Sequence, residues 1–119
     1  MVRAVRGAIQ VGADTREQIW EASARLVREI MQANRLDERR LVSVVFSMTD
    51  DLLAGNPAAG VRHTGFSETP LFCVQEARVA GAMPRVIRVL LTFRARWRQR
   101  SVAVYLDGAR ALRPDLAGG

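Results

Sequence analysis

The sequence of 119 residues contains no lysine, one cysteine, one histidine and one tyrosine. A single cysteine cannot form an internal disulfide, so we expect a hydrophobic core to hold the fold together. No apolar run approaches the roughly 20 residues that a membrane-spanning helix requires. Arg3 and Arg6 interrupt the first residues, where a secretory signal would have a continuous apolar stretch. These absences predict a cytoplasmic protein that does not enter a membrane.

Arginine accounts for all of the basic charge. The 18 arginines exceed the 12 acidic residues and give a formal net charge of +6. Such a surplus favours anionic partners, either nucleic acid or a small polyanion. The hydrophobic fraction of 49% and the charged fraction of 25% are ordinary for a globular protein. The length and composition predict one domain over residues 1–119, with a flexible tail at 114–119.

Apolar periodicity predicts about five strands, one long helix and one short helix, and thus an α/β (α+β) fold. We expect the long helix to begin at Asp14 or Thr15 and to end near Asn34, and the short helix to begin at Asn56 and Pro57. The predicted strands cover residues 2–10, 41–48, 71–76, 86–91 and 101–106.

The chain is organised around residues 71–91, which we interpret as two short buried strands and their connection. Arg88 is expected to share a strand face with Val86 and Leu90, and a guanidinium among aliphatic side chains must be paired or must meet a ligand. Glu76 lies at the end of the preceding strand. Arg88 therefore pairs with a carboxylate, Glu76 or Asp107, extends outward to solvent from an edge strand, or binds an anionic ligand.

Two further arginines lie in settings that could serve a ligand. Arg6 is predicted to share a strand face with small apolar residues, and Gly7 beside it would permit close approach of another backbone or a ligand. Arg62 lies in the short helix next to His63, which we expect to be solvated rather than catalytic.

Residues 94–100 carry an arginine at every second position, with Trp97 among them. In a strand this pattern would line one face with guanidinium groups that could grip phosphates, while Trp97 stacks on a base. Alternatively, the stretch is an exposed loop or edge whose charges prevent edge-to-edge pairing. We favour the second interpretation.

Four motifs in order resemble the monofunctional chorismate mutases of the small trimeric α/β type. They are Cys-Val-Gln-Glu at 73–76, Gly81 followed by Ile-Arg-Val at 87–89, Val-Tyr-Leu at 104–106, and Leu-Arg-Pro-Asp-Leu at 112–116. The similarity begins at residues 5–8 and spans nearly the whole chain. Each motif is weak alone, but their order and spacing together are specific.

The resemblance implies a mixed five-stranded sheet with one long and one short helix, assembled as a trimeric pseudo-α/β-barrel with active sites between subunits. It implies the rearrangement of chorismate to prephenate, a step of the shikimate pathway and of aromatic amino acid biosynthesis. Neither a cofactor nor a metal is expected. The implied partners are chorismate and further copies of the chain, and neither nucleic acid nor a membrane.

The resemblance assigns the reaction chemistry to three residues. Arg88 is expected to stabilise the negative charge that grows on the ether oxygen in the transition state. Glu76 and the Cys73 thiol correspond to residues that hydrogen-bond the ring hydroxyl. Positions 73 and 76 of a flat strand point to opposite faces, so we expect a bend or bulge near Gln75.

The resemblance also implies a set of substrate-binding residues. Some hold the carboxylates and others line the cleft from its far side or approach from the tail. They are Arg6, Tyr105, Arg62, Ala58, Phe72 and Arg113.

Two departures from the family pattern and three rival functions accompany this prediction. Asn56 stands where the family often has an aromatic residue, and the loop at 94–100 is about one residue shorter. The rivals are an enamine or imine deaminase on the same trimeric architecture, a nucleic-acid-binding module that uses residues 94–100, and a mutase for a 4-amino relative of chorismate. The combination of Cys73, Glu76, Arg88 and Tyr105 favours the chorismate mutase.

Overall fold

The computed structural model of the chain describes residues 1–113, which form one mixed five-stranded sheet with both α-helices on one side. The strands are β1 (Val2–Gln10), β2 (Leu41–Met48), β3 (Leu71–Gln75), β4 (Val86–Arg94) and β5 (Val104–Leu106). The two α-helices are α1 (Arg16–Ala33) and α2 (Pro57–His63), and short 3₁₀ helices span Glu38–Arg40 and Asp107–Leu112. The predicted fold class is confirmed.

The strand order is β3-β2-β4-β1-β5. The central strand β4 pairs antiparallel with β1 and β2, whereas the two edge pairs, β2 with β3 and β1 with β5, are parallel. Consequently β3 and β5 form the two edges of the sheet.

The two faces of the sheet differ sharply in burial. α1 packs on β1 and β5, and α2 packs on α1 and β3. On this helical face alternate residues of β4, such as Ile87 and Leu91, are fully buried. On the opposite face, called the open face below, Leu90 and Phe72 are 46% and 56% exposed. The expectation that residues 71–76 form a buried strand is therefore wrong for this chain alone, because β3 is an edge strand.

The predicted helix boundaries follow from capping side chains. Thr15 caps α1 by accepting a hydrogen bond from the backbone N–H of Gln18, and Asn56 caps α2 through the N–H of Ala58. Asp14, the other candidate cap, instead accepts the backbone N–H groups of Leu53 and Ala54. The start of α1 is thus tied to the segment that leads into α2.

The C-terminal elements differ from the prediction. β4 continues to Arg94, and β5 begins only at Val104 because the backbone of Val102 pairs with the side-chain amide of Asn34 instead of a strand. The stretch that begins beyond Arg94 is an exposed loop, as the favoured interpretation of residues 94–100 required. The predicted flexible tail at 114–119 lies outside the described residues. Within residues 1–113, no helix combines the length and the apolar character needed to cross a membrane.

Candidate functional site

A row of paired residues crosses the open face and brings the central candidates together. Ser47 lies opposite Arg88 across β2 and β4, Arg88 lies opposite Ala8 across β4 and β1, and Ala8 lies opposite Tyr105 across β1 and β5. Directly opposed residues project from the same face of a sheet. The guanidinium of Arg88 and the phenol of Tyr105 therefore flank a position occupied only by a small alanine.

A cavity of about 380 Å³ opens over this row. Three arginines, Arg6, Arg88 and Arg113, line it together with Tyr105, and no carboxylate is among the described lining residues. Its walls include apolar residues such as Leu90. An apolar pocket with a few convergent polar groups is the usual form of a small-molecule site. The surplus of guanidinium groups suits a compact ligand with more than one negative charge.

The side chain of Glu76 forms an ion pair with the guanidinium of Arg88. Glu76 follows β3, where its backbone N–H donates to the carbonyl of Met48 at 2.8 Å and thereby fixes it beside the sheet. Of the two carboxylates predicted as partners of Arg88, Glu76 is the one observed. Asp107 pairs with Arg25 instead, at 3.1 Å.

Glu76 and Arg88 also line a second, larger cavity of about 760 Å³, formed with the connection between β3 and β4. Arg88 borders both cavities, so its guanidinium lies at the boundary between them. A ligand can therefore approach the ion pair from the cavity over the sheet or from the second cavity beside the connection between β3 and β4.

Cys73 does not share this cavity. It is in register with Phe46, so it lies on the helical face, whereas Arg88 lies on the open face. The pairing of β2 with β3 runs without a register shift from Leu71 to Gln75, and the predicted bulge near Gln75 is therefore wrong. Burial raises the pKa of the Cys73 thiol. The thiol borders a separate pocket with Asn56, between the end of β2 and the start of α2.

The remaining candidates lie at the β3 edge of the sheet. Arg62 donates to the carbonyl of Leu71 at 3.0 Å, Ala58 is buried at the start of α2, and Phe72 is exposed on the open face. Neither these three nor Cys73 lines the cavity over Arg88. Thus the predicted residues form two groups in one chain. One group comprises Arg6, Glu76, Arg88, Tyr105 and Arg113, and the other, on α2 and β3, comprises Ala58, Arg62, Phe72 and Cys73.

Sequence reasoning missed Ser47 and Leu112, which both line the cavity with Arg88. The signal for Ser47 was present, since it is one of two serines in a largely apolar strand. Leu112 offered no comparable signal, because its position depends on the 3₁₀ helix that follows β5.

Comparison with known proteins supports the resemblance to the chorismate mutases. The family model described as "Chorismate mutase type I" matches residues 2–116. The relative "Chorismate mutase AroH" of Thermus thermophilus is 42% identical over 118 residues, which cover 98% of this chain and 97% of the relative. "Chorismate mutase AroH" of Bacillus subtilis (strain 168) is 36% identical over 119 residues, which cover 98% and 94% of the two chains.

A solved structure of a chorismate mutase from Clostridium thermocellum has a similar fold. The TM-score is 0.84 at 32% sequence identity, and the match covers 92% of this chain and 98% of that chain. The similarity in sequence and in structure thus extends over nearly the whole length, and it includes the strands that carry Arg6, Arg88 and Tyr105. This chain belongs to the type I chorismate mutase family.

Proposed function

We propose that the protein, a chorismate mutase by family, rearranges chorismate to prephenate in the cavity over Arg88 and acts in aromatic amino acid biosynthesis. The observation that carries the proposal is the convergence of Arg6, Arg88 and Tyr105 on one small, partly apolar cavity. Chorismate is a compact dianion, and this cavity offers several cationic donors at its wall. Two carboxylates can each meet a guanidinium or phenol donor there.

The chemistry explains why cationic and hydrogen-bonding groups are sufficient. In a concerted intramolecular step, the ether C–O bond breaks while a C–C bond forms at the other end of the enolpyruvyl group. No atom is gained or lost, so neither a nucleophile nor a general base is required. The protein accelerates the step by holding the reactive conformer and by stabilising the charge of the transition state.

Arg88 is the proposed source of that charge stabilisation. Negative charge grows on the ether oxygen as its bond to the ring breaks, and a preorganised cation near this atom lowers the barrier. The ion pair with Glu76 orients the guanidinium before substrate arrives. Glu76 is also the proposed acceptor for the ring hydroxyl, while Arg6 and Tyr105 are proposed to bind carboxylates, with Arg113 nearby in the same cavity wall.

We propose a homotrimer in which each active site combines both groups of residues. Ala58, Arg62, Phe72 and Cys73 lie at the β3 edge, away from the cavity over Arg88. An interface that joins the β3 edge of one copy to the cavity of the next is heterologous, and such an interface generates a closed trimer when each copy is rotated by a third of a turn from the last. The exposed apolar residues of the open face, Leu90 and Phe72, support burial in such an assembly.

The arginines at residues 94–100 do not require a nucleic-acid function. Arg94 donates to the carbonyl of Arg39 at 3.2 Å, and the guanidinium of Arg98 stacks over Trp97 at 4.3 Å from the ring centroid. These contacts support the interpretation of the stretch as an exposed, charged loop.

We also propose one domain over residues 1–119, supported by the extensive shared core, and a cytoplasmic location, supported by the unpaired Cys73.

The decisive experiment is an assay of chorismate absorbance with purified protein in the presence of EDTA, with prephenate identified as the product. We expect turnover without any additive. The absence of turnover from well-folded, assembled protein would contradict the proposal, and 4-amino-4-deoxychorismate would be the next substrate to assay. Turnover of an enamine or imine in its place would identify the rival deaminase.

A further inference from the structure

A pocket of about 360 Å³ lies on the helical side of the molecule, between the C-terminal half of α1 and the end of α2. We call it the α1–α2 pocket. Val27 of α1 and Val61 of α2 are buried at its base, and Met31 and Phe66 pack against the core while remaining half-buried. The pocket is therefore largely apolar, and it shares no lining residue with the cavity over Arg88.

Two arginines stand at the rim of this apolar pocket. Arg28 and Arg35 are exposed and contribute to its lining, and no acidic residue lines it in the described part of the chain. Across residues 1–113, the guanidinium groups of Arg28 and Arg35 make neither an ion pair nor a hydrogen bond. By contrast, Arg25 on the neighbouring face of α1 is paired with both Glu29 and Asp107.

An apolar base with unpaired cations at its rim is complementary to a ligand with an apolar body and one negative end. The size also fits, because cavities of a few hundred cubic ångströms accommodate small organic molecules. A carboxylate bound by either arginine gains charge-assisted hydrogen bonds. We propose that the α1–α2 pocket is a binding site for a small aromatic monocarboxylate.

The position of the pocket links it to the proposed substrate site. Val61 lines the pocket, and the next residue, Arg62, reaches across to donate to the carbonyl of Leu71 in β3. A ligand that packs against Val61 therefore contacts α2, the short helix that also carries Arg62 and Ala58. We therefore also assign an effector role to the pocket, and this part of the inference rests on the proposed function. A ligand bound in the α1–α2 pocket is expected to change the KM for chorismate.

Binding is tested with 3-phenylpropionate and, as a matched neutral probe, 3-phenylpropanamide, by calorimetry on the assembled protein. We expect the carboxylate to bind at least about tenfold more tightly than the amide, which corresponds to about 1.4 kcal/mol. The variants Arg28→Gln and Arg35→Gln should each weaken carboxylate binding several-fold. Arg100→Gln, which removes an exposed arginine outside the pocket, should leave the affinity unchanged.

A second variant separates this site from the catalytic cavity. Arg88→Ala should retain full binding of 3-phenylpropionate, whereas loss of binding in Arg88→Ala would place the ligand in the cavity over Arg88 and overturn the inference. Equal affinity for the acid and the amide would also overturn it. The pocket would instead bind a second copy of the chain if the protein associates beyond the proposed trimer in a way that Met31→Arg abolishes and 3-phenylpropionate leaves unchanged.

The effector role has its own readout. In the chorismate assay, saturating 3-phenylpropionate should change KM in the parent protein and in Arg100→Gln, and the change should be lost in Arg28→Gln. Binding without any change in KM or kcat would overturn the effector role. If the parent protein has no mutase activity, the calorimetric result still decides whether the binding site exists.

Discussion

Arg88 and Glu76 form an ion pair across the sheet. Arg88 lies in β4 and Glu76 follows β3, and β2 lies between these two strands. The residue of β2 opposite Arg88 is Ser47, and its partner on β3 is Val74. The small side chain of Ser47 leaves space above the sheet through which the long arginine side chain can approach Glu76. The central cation of the site is therefore held by a carboxylate from the sheet edge.

Replacement of Arg88 by alanine should lower kcat by at least about a thousandfold, because preorganised donors at a developing charge are worth two to three orders of magnitude each. The fold should survive, since the side chain is 40% exposed and lies on the open face. Arg88→Lys should recover only part of the loss, because an ammonium group lacks the planar fork of a guanidinium. Chorismate turnover and circular dichroism together measure this. Wild-type turnover in folded Arg88→Ala would exclude the assigned role.

Replacement of Cys73 by serine should have a mild effect, with kcat/KM within about tenfold of the parent value. The thiol lies on the helical face, and burial raises its pKa, so it is neutral near pH 7 and poorly suited to nucleophilic attack. Steady-state kinetics of Cys73→Ser with chorismate provide the measurement. Complete inactivation of a folded, assembled Cys73→Ser variant would instead indicate covalent catalysis by this thiol.

Much of the fold was predictable because its signals are local. The stripe of Ile19, Leu26 and Ile30 defined the buried face of α1, and Thr15 and Asn56 marked the starts of the helices. The alternation within residues 86–91 correctly placed Arg88 on the face opposite the core residue Ile87. These features depend on residues close together in the chain.

The errors concern features set by distant residues. The exposure of β3 follows from its place at the edge of the sheet, which no pattern within residues 71–76 reveals. The late start of β5 depends on the Asn34 side chain, 68 residues from Val102 in sequence. Likewise, the expectation of a bulge near Gln75 assumed that Cys73 and Glu76 serve one site within a single chain. Instead, Cys73 lies on the helical face, whereas Glu76 pairs with Arg88 on the open face.

The proposed assembly predicts that a charge on the open face disrupts it. Leu90 pairs with Val45, and Val45 with Phe72, so these three residues form a continuous apolar row. Leu90→Glu should convert the trimer to smaller species and abolish turnover, because a carboxylate buried at an apolar interface is costly. Light scattering coupled to size exclusion provides the mass.

A matched control separates this effect from a general loss of stability. Val102 is 51% exposed, similar to Leu90, but it lies outside the five strands. Val102→Glu should remain trimeric and active. A monomeric parent protein with full activity would contradict the shared active site. An active trimer of Leu90→Glu would contradict the burial of Leu90 at the interface.

Glu38 makes the stability of the segment before β3 dependent on pH. Its carboxylate accepts the backbone N–H groups of Ser67, Glu68 and Thr69. Backbone hydrogen bonds, the one from Glu68 foremost, lower the pKa of this carboxyl in the folded state. A depressed pKa contributes stability above the unfolded pKa, and this contribution is lost as the pH falls through the folded value.

Accordingly, Glu38→Gln should lower the melting temperature at pH 7, and the difference from the parent protein should shrink as the pH falls below 4. Glu68→Gln removes the same charge from an exposed neighbour and should have little effect at either pH. Thermal unfolding at fixed protein concentration measures both variants. A constant difference between Glu38→Gln and the parent protein at all pH values would exclude the ionised carboxylate as the cause.

Gly60 allows α2 to pack directly against α1, and this contact positions the residues that α2 contributes to the substrate site. A Cβ at position 60 would lie 2.7 Å from the Cα of Trp20 and 2.9 Å from Oγ of Ser23. Because the first of these atoms belongs to the backbone, the helices must move apart, at a cost of about 1–3 kcal/mol. Gly60→Ala should therefore lower the melting temperature and raise the KM for chorismate, since Ala58 and Arg62 move with α2.

Gly12→Ala is the matched control for Gly60→Ala. Its Cβ would meet Oε1 of Gln18 at 2.7 Å, but this atom ends a flexible side chain that can rotate away. We expect a small change in melting temperature and an unchanged KM for Gly12→Ala. If Gly60→Ala instead kept the KM of the parent protein despite a lower melting temperature, the position of α2 would not govern substrate binding, and Arg62 would lose its proposed role.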